Sequence, residues 1–264
     1  MSMNSDGKAK QAHALVMVAK APQAGLVKTR LHPYLTFAEA AQLYECLLWD
    51  IEAKLKAHPG SDFWTACAPE GEPYFHRYQP QARLLTQRGS DLGERLEHVF
   101  LDLFNMGYQK IVVADSDSPL VPLSSIARAY AELSEGNSDI VLGPCADGGY
   151  YMIGLKRPER EIFRDIPWST GRVLDSTIEK ANLLGLKIAL LDLTYDIDEA
   201  DAVRRLWGDF RIYPQLQVRA PRTYVYLKQL NEKERSRVTD PTFRISNSPR
   251  FNEEDERGGG APGG

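Results

Sequence analysis

The feature that most restricts the fold of this chain is a repeated alternation: short apolar runs separated by longer segments with helical spacing. "ALVMVA" (14–19) reads as a fully buried strand. A loop containing Pro22, Gly25 and Pro33 follows. Thr36 then opens a helix, with Glu39 three residues on as a capping box and Leu43, Leu47, Ile51 and Leu55 as its apolar stripe. "DFWTACA" (62–68), "ARLLT" (82–86), "IVVA" (111–114), "DIVLGP" (139–144), "YYMIGL" (150–155) and "KIALLDL" (187–193) are further strand candidates. Between and after them, "ERLEHVFLDLF" (94–104), "SSIARAYAEL" (124–133), "GRVLDSTIEKANLLG" (171–185) and "EADAVRRLWGDF" (199–210) have helical spacing. Strands alternating with helices predict an α/β fold around a largely parallel sheet.

Such sheets bind ligands beyond the carboxyl ends of their strands. The segments to inspect are therefore "KAPQAGLVKTR", "QRGSDLG", "DSDSP" and "CADGG". No internal repeat or interdomain linker interrupts residues 12–210, which we expect to form one domain. Residues 211–238 are expected to be a C-terminal helical extension. The charged, then glycine-rich residues 239–264 are expected to be a disordered tail.

Charge narrows the partners. With a formal net charge of -4 the chain has no general attraction for nucleic acid or anionic lipid, so an anionic ligand needs a local cationic cluster. Cys46, Cys67 and Cys145 are odd in number and far apart. They suggest neither a disulfide framework nor a zinc site, and they suit a reducing compartment. No run approaches the roughly 18 apolar residues that span a bilayer. "MSMNSDGKAKQ" lacks the apolar core of a signal peptide, so a cytoplasmic protein without a transmembrane segment is expected.

Four constellations carry chemistry. In "DSDSP", Asp115 and Asp117 would point the same way if the segment were extended, and two like charges there call for a cation such as Mg2+ or Mn2+. A turn in which one aspartate caps the next helix explains the same residues equally well. In "AKAPQAGLVKTRL", Lys20, Lys28 and Arg30 could bind a diphosphate, with Gly25 allowing close approach. A solvated basic loop is the alternative, and neither GxxxxGK[ST] nor GxGxxG is present. In "GPCADGGYYMIGL", Asp147 could be a general base, a sugar-hydroxyl acceptor or a metal ligand, or part of an Asp-Gly turn joining two strands. In "YDIDEADAVRRL", Asp196 and Asp198 repeat the i, i+2 spacing; Asp198 is a candidate second metal ligand, although a helix cap is the preferred explanation. No HExxH pair or GxSxG elbow occurs.

"AKAPQAGLVKTRL", "QRGSDLGERL", "DSDSPLVP", "GPCADGGYYMIGL" and "PWSTGRVL" occur in that order. Together they resemble the DUF2064, or arsenosugar-biosynthesis-type glycosyltransferase, family of the GT-A nucleotide-diphospho-sugar transferase superfamily, from about residue 14 to about residue 207. The resemblance implies a Rossmann-like GT-A fold with a mixed, mostly parallel central sheet. It implies that Lys20, Lys28 and Arg30 face nucleotide phosphates, and that "DSD" serves as the divalent-metal motif, with Asp117 the better-matched position. Gln87, Gly89 and Asp91 would lie near the base or ribose. Asp147, Gly148 and Gly149 would lie on the acceptor or sugar side, with Trp168 and Ser169 on a nearby flap. Two departures from the family pattern stand at Ala114, where glycine is usual, and at Ala146, where an acid is usual.

The expected function is glycosyl transfer from a nucleotide-diphosphate sugar to a small-molecule acceptor, with Asp147 as base and Mg2+ or Mn2+ as cofactor. The alternatives are a guanylyltransferase-like nucleotidyl transfer that releases pyrophosphate, and an inactive nucleotide-binding relative, which Ala146 suggests. A homodimer through residues 211–238 is a further candidate arrangement.

Overall fold

The computed structural model describes residues 12–239. The chain divides into two compact units, Met1–Tyr226 and Leu227–Gly264. Of the tail expected over 239–264, Thr239 is instead the last residue of a helix, and residues 240–264 lie outside the described residues.

The first unit holds a seven-stranded sheet. Its strands are β1 (His13–Ala19), β2 (Ser61–Cys67), β3 (Leu84–Thr86), β4 (Lys110–Ala114), β5 (Ile140–Pro144), β6 (Tyr150–Leu155) and β7 (Ile188–Leu190). They lie in the order β3-β2-β1-β4-β6-β5-β7. Only β6 runs against its neighbours, pairing antiparallel with both β4 and β5; the other pairings are parallel. The α/β class and the mixed, mostly parallel Rossmann-like sheet are therefore as expected.

The helices are α1 (Phe37–Lys56), α2 (Glu72–Tyr78), α3 (Leu92–Asn105), α4 (Leu123–Ser134), α5 (Val173–Leu183), α6 (Ala200–Ile212) and α7 (Pro221–Thr239). β1 shows why the strands read as unbroken apolar runs. Alternate residues face opposite sides of a sheet. Ala14 and Val16 join the core on the α3 side with Leu96, Val99 and Phe100. Leu15 and Met17 join the core on the α1 and α4 side with Leu48, Ile51 and Ile126. Both faces are covered, so both registers must be apolar. Truncating Phe100, 1% exposed, to alanine would cost roughly 3–5 kcal/mol.

The predicted capping box is present: the Glu39 amide donates to Thr36 Oγ1 at 3.2 Å, and the Thr36 amide to Glu39 Oε2 at 3.1 Å. Two elements differ from the sequence expectation. β7 is shorter than "KIALLDL", because it is an edge strand paired only with β5. α2 was not expected, because seven residues are too few to show a helical period; its Phe75 is nevertheless fully buried. No described helix is long and apolar enough to cross a membrane.

Candidate active site

The loops after β1, β4, β5 and β7 meet beyond the strand ends around a cleft of about 1120 Å³. Arg30, Asp117, Asp147, Trp168, Asp196 and Asp198 are among its walls.

The β1 loop is organised around Lys28. Its backbone is left-handed (φ 50°), which a non-glycine residue adopts at some cost, immediately before the short turn Thr29–Leu31. The side chain is 4% exposed, and Nζ lies 2.7 Å from Asp117 Oδ1 and 3.6 Å from Asp198 Oδ1. Burial alone would push the Lys28 pKa down, but Asp117 and Asp198 more than offset it, so the ammonium is held above its ordinary value. Arg30 is exposed and donates to Asp198 Oδ2 at 2.8 Å. Lys20 is exposed and outside the cleft lining, and its backbone amide donates to Tyr44 Oη at 2.9 Å. Tyr44 Oη also shares a 2.9 Å hydrogen bond with Ser116 Oγ, joining the β1 and β4 loops. Gly25 is left-handed (φ 80°) with open space where a Cβ would stand. The solvated-loop alternative thus fails for Lys28, which is an internal cation.

The aspartate pair is not extended. β4 ends at Ala114 and the backbone bends at Ser116 and Asp117. Asp115 turns back on its own loop, accepting from the Ser118 amide at 3.2 Å and from Ser118 Oγ at 2.6 Å. Asp117 instead faces Lys28. Burial and the nearby Asp117 charge push the Asp115 carboxyl up to about 7. Asp198, for which a helix cap was preferred, does not cap. The N-cap of α6 is Glu199, and Asp198 is drawn to the two cations of the β1 loop.

β5 and β6 form the antiparallel pair that the Asp-Gly turn suggested, and Asp147 sits in that turn. Its Oδ1 accepts the Gly149 amide at 2.8 Å. Gly148 has φ 87°, and a Cβ there would stand 2.0 Å from the Gly171 carbonyl oxygen. The Leu174 amide donates to Gly148 O at 2.8 Å, which fastens the turn to the loop carrying Trp168, Ser169 and Gly171. Trp168 closes that loop against α3: a Cβ on Gly93 would meet its Nε1 at 2.4 Å. Trp168 also makes an edge contact with Tyr150, with centroids 6.4 Å apart. Gly149, Trp168 and Ser169 line the cleft.

Residues of "QRGSDLG" are engaged locally. Gln87 is buried and its side-chain Nε2 donates to Ala66 O at 2.9 Å. Asp91 caps α3 through the Glu94 amide at 2.8 Å. Gly89 has φ 132°. Of this segment and its continuation, Leu92 reaches the cleft lining, whereas Gln87, Gly89 and Asp91 do not.

Two residues gain importance from the structure. Asp196 lines the cleft, and burial and the neighbouring Asp147 raise its pKa. Cys145, read from sequence only as an unpaired cysteine, is buried with Sγ 3.6 Å from Asp196 Oδ1. The same i, i+2 spacing that singled out the aspartates also relates Cys145 to Asp147, and it was the available signal. Ala114 is accommodated as an ordinary strand residue paired with Met152, and Ala146 lines the cleft while its amide donates to Thr194 O at 2.9 Å.

Comparison with known proteins agrees with this architecture. The family model "Uncharacterized protein conserved in bacteria (DUF2064)" matches residues 51–170. The resemblance to DUF2064 is thereby borne out over that region. A candidate nucleotide-diphospho-sugar transferase from Desulfovibrio desulfuricans G20 is similar at 28% identity, with a TM-score of 0.78 over 86% of this chain and 98% of that one. A cytidylyltransferase from Leptospira borgpetersenii matches at 13% identity and a TM-score of 0.51, over 86% of this chain and 96% of that one. A 4-diphosphocytidyl-2C-methyl-D-erythritol synthase matches at 13% identity and a TM-score of 0.50, over 79% and 99%. The last two likenesses are of fold alone. No curated protein matches the chain.

Proposed function

On a chain that carries the DUF2064 region over residues 51–170, we propose that the cleft transfers a glycosyl group from a nucleotide-diphosphate sugar to a small-molecule acceptor. The observation that carries this reading is the meeting of Arg30 and Lys28 with the Asp147 turn in and beside one cleft at the strand ends. The likeness to a candidate nucleotide-diphospho-sugar transferase supports it.

Arg30 offers a planar fork and Lys28 a point charge, the two kinds of donor that suit a diphosphate. Lys28 is paired with Asp117 and Arg30 with Asp198. A donor's phosphate oxygens would replace those carboxylates as acceptors. Asp115, Asp117, Asp147, Asp196 and Asp198 all line the cleft, and burial raises two of them, Asp115 and Asp196. Such a donor set fits a divalent cation, which Asp147 and Asp196, whose carboxylate oxygens approach within 4.8 Å, would hold. When bound, the cation would screen the charge developing on the departing diphosphate.

Asp147 is the base of the proposed reaction, through the carboxylate oxygen that the cation does not take. As the acceptor oxygen bonds to the anomeric carbon, its proton passes to the Asp147 carboxylate. The bond from the anomeric carbon to the diphosphate oxygen breaks, and its electron pair leaves with the nucleoside diphosphate. Trp168 and Tyr150 form an aromatic wall that limits water at the reacting carbon.

Calorimetric titration of a panel of nucleotide-diphosphate sugars with Mn2+ tests the reading. At least one should bind and, with acceptor, release nucleoside diphosphate; binding of none sinks it. Pyrophosphate release from a nucleoside triphosphate would assign nucleotidyl transfer instead.

A further inference from the structure

Cys145, Asp147 and Asp196 bring one thiol and two carboxylates together, with donor atoms all within 4.8 Å of one another. We propose that these three residues form a mixed sulfur–oxygen cation site, and that Cys145 makes the cleft select a thiophilic divalent ion of the Zn2+ kind over Mg2+. The inference rests on the reading of the cleft as one that works with a divalent cation.

The geometry is close to what a tetrahedral ion needs. Zn–S and Zn–O bonds of roughly 2.0–2.3 Å place neighbouring donors roughly 3.4–3.6 Å apart. Cys145 Sγ and Asp196 Oδ1 already stand 3.6 Å apart, sharing the thiol proton in the space that a cation would occupy. An Asp147 carboxylate oxygen stands within 4.8 Å of both, as the third donor of the face. Three protein donors with the remaining position open to the cleft is the pattern of a zinc site that also binds substrate, whereas closed structural sites use four.

The site is preorganised by the backbone. The Cys145 amide donates to Gly149 O at 3.0 Å and the Gly148 amide to Cys145 O at 3.1 Å, which fixes the 145–149 turn. The Ala146 amide donates to Thr194 O at 2.9 Å, and Cys145 and Thr194 form a parallel bridge that holds the Asp196 segment alongside. The other aspartates are already engaged: Asp117 and Asp198 with the β1-loop cations, and Asp115 with Ser118. Sulfur in the donor set disfavours Mg2+, which takes oxygen ligands and keeps its waters, and favours borderline or soft ions. On binding, the Sγ–H bond breaks, its proton leaves to solvent, and the sulfur lone pair forms the metal bond, with no change of oxidation state.

Cd2+ serves as the probe, since its bond to thiolate gives an ultraviolet charge-transfer band. Titrated into the reduced full-length protein without nucleotide, Cd2+ should produce one such band that excess Mg2+ does not abolish. Cys145→Ser should remove the band and weaken Cd2+ binding by more than the roughly 10–100-fold that loss of an outer-shell partner costs. Asp196→Asn should weaken binding while keeping the band, and Cys46→Ser and Cys67→Ser should leave both unchanged. Thermal melts of each variant check folding. Absence of a band, a band that survives Cys145→Ser, or a band lost in Cys46→Ser or Cys67→Ser overturns the proposal. Failure of the glycosyl-transfer reading would show separately, as no binding of any nucleotide sugar, whatever Cd2+ does.

Discussion

Lys28 Nζ lies 2.7 Å from Asp117 Oδ1, and the lysine side chain is 4% exposed while the aspartate is 35% exposed. One buried cation therefore ties the loop after β1 to the loop after β4. Removing it strands the carboxylates around it. Breaking a fully buried pair costs roughly 3–5 kcal/mol, and the partial exposure of Asp117 brings the expected loss for Lys28→Met to about 1–3 kcal/mol. Urea unfolding measures that loss. Calorimetry should show nucleotide-sugar binding falling in the same variant; donor binding at full strength would remove Lys28 from the phosphate site.

Asp147 is exposed on the turn between β5 and β6, next to the cleft. As the proposed base it should matter to turnover and little to donor binding. Asp147→Asn should lower kcat by about 10²–10⁴-fold, at a donor Kd that is unchanged when measured without divalent cation. A donor affinity that falls as far as kcat would make Asp147 a binding residue.

Gly148 and Gly185 separate backbone strain from steric clash. Both are left-handed, with φ 87° and 69°. Alanine at either should cost roughly 1–2 kcal/mol for its conformation alone. At Gly185 nothing lies within 4 Å of the new Cβ, whereas at Gly148 the Gly171 carbonyl oxygen stands 2.0 Å away. Gly148→Ala should therefore lose more stability than Gly185→Ala in denaturant titrations, and only Gly148→Ala should lose ligand binding. Equal losses would mean that the turn and the Trp168 loop separate freely.

At the opposite end of the sheet, His13 and His58 each stack on Tyr130, with centroids 5.4 Å apart. Burial lowers the pKa of both; Lys110 adds to the effect at His13, and His13 adds to it at His58. Their folded pKa values lie below the ordinary 6.5, so the folded protein disfavours the charged rings. The stability this contributes is complete above pH 6.5 and declines as pH falls through that value toward the folded pKa. The melting temperature should drop between about pH 7 and pH 5, and less so in the His13→Gln, His58→Gln double variant. A double variant with an undiminished drop would point to carboxylates instead.

Much of the fold was legible because its signals are local. The apolar runs at 14–19 and 111–114 announce strands covered on both faces, and Thr36 with Glu39 announces a helix start within four residues. The order of the loops that bear Lys28, Asp117, Asp147 and Asp198 was legible too, and so was the rule that they meet beyond the strand ends. A turn at Asp115–Asp117 was one of the two readings the sequence left open, but the partners that hold the bend were not legible. The bend follows from Ser118 capturing Asp115 and Lys28 capturing Asp117.

What the sequence determined by itself was the class of the fold, the positions of its strands, and the loops that carry charge. These depend on hydrophobic period and backbone preference over a few residues. Tertiary structure decided who neutralises whom. β6 enters antiparallel between β4 and β5, which carries the Asp147 turn to the cleft. Arg30 finds Asp198 across 168 residues of sequence, Lys28 becomes an internal cation, and Cys145 comes to face Asp196. A side chain's charge and burial depend on neighbours brought from elsewhere in the chain, and no local pattern encodes them.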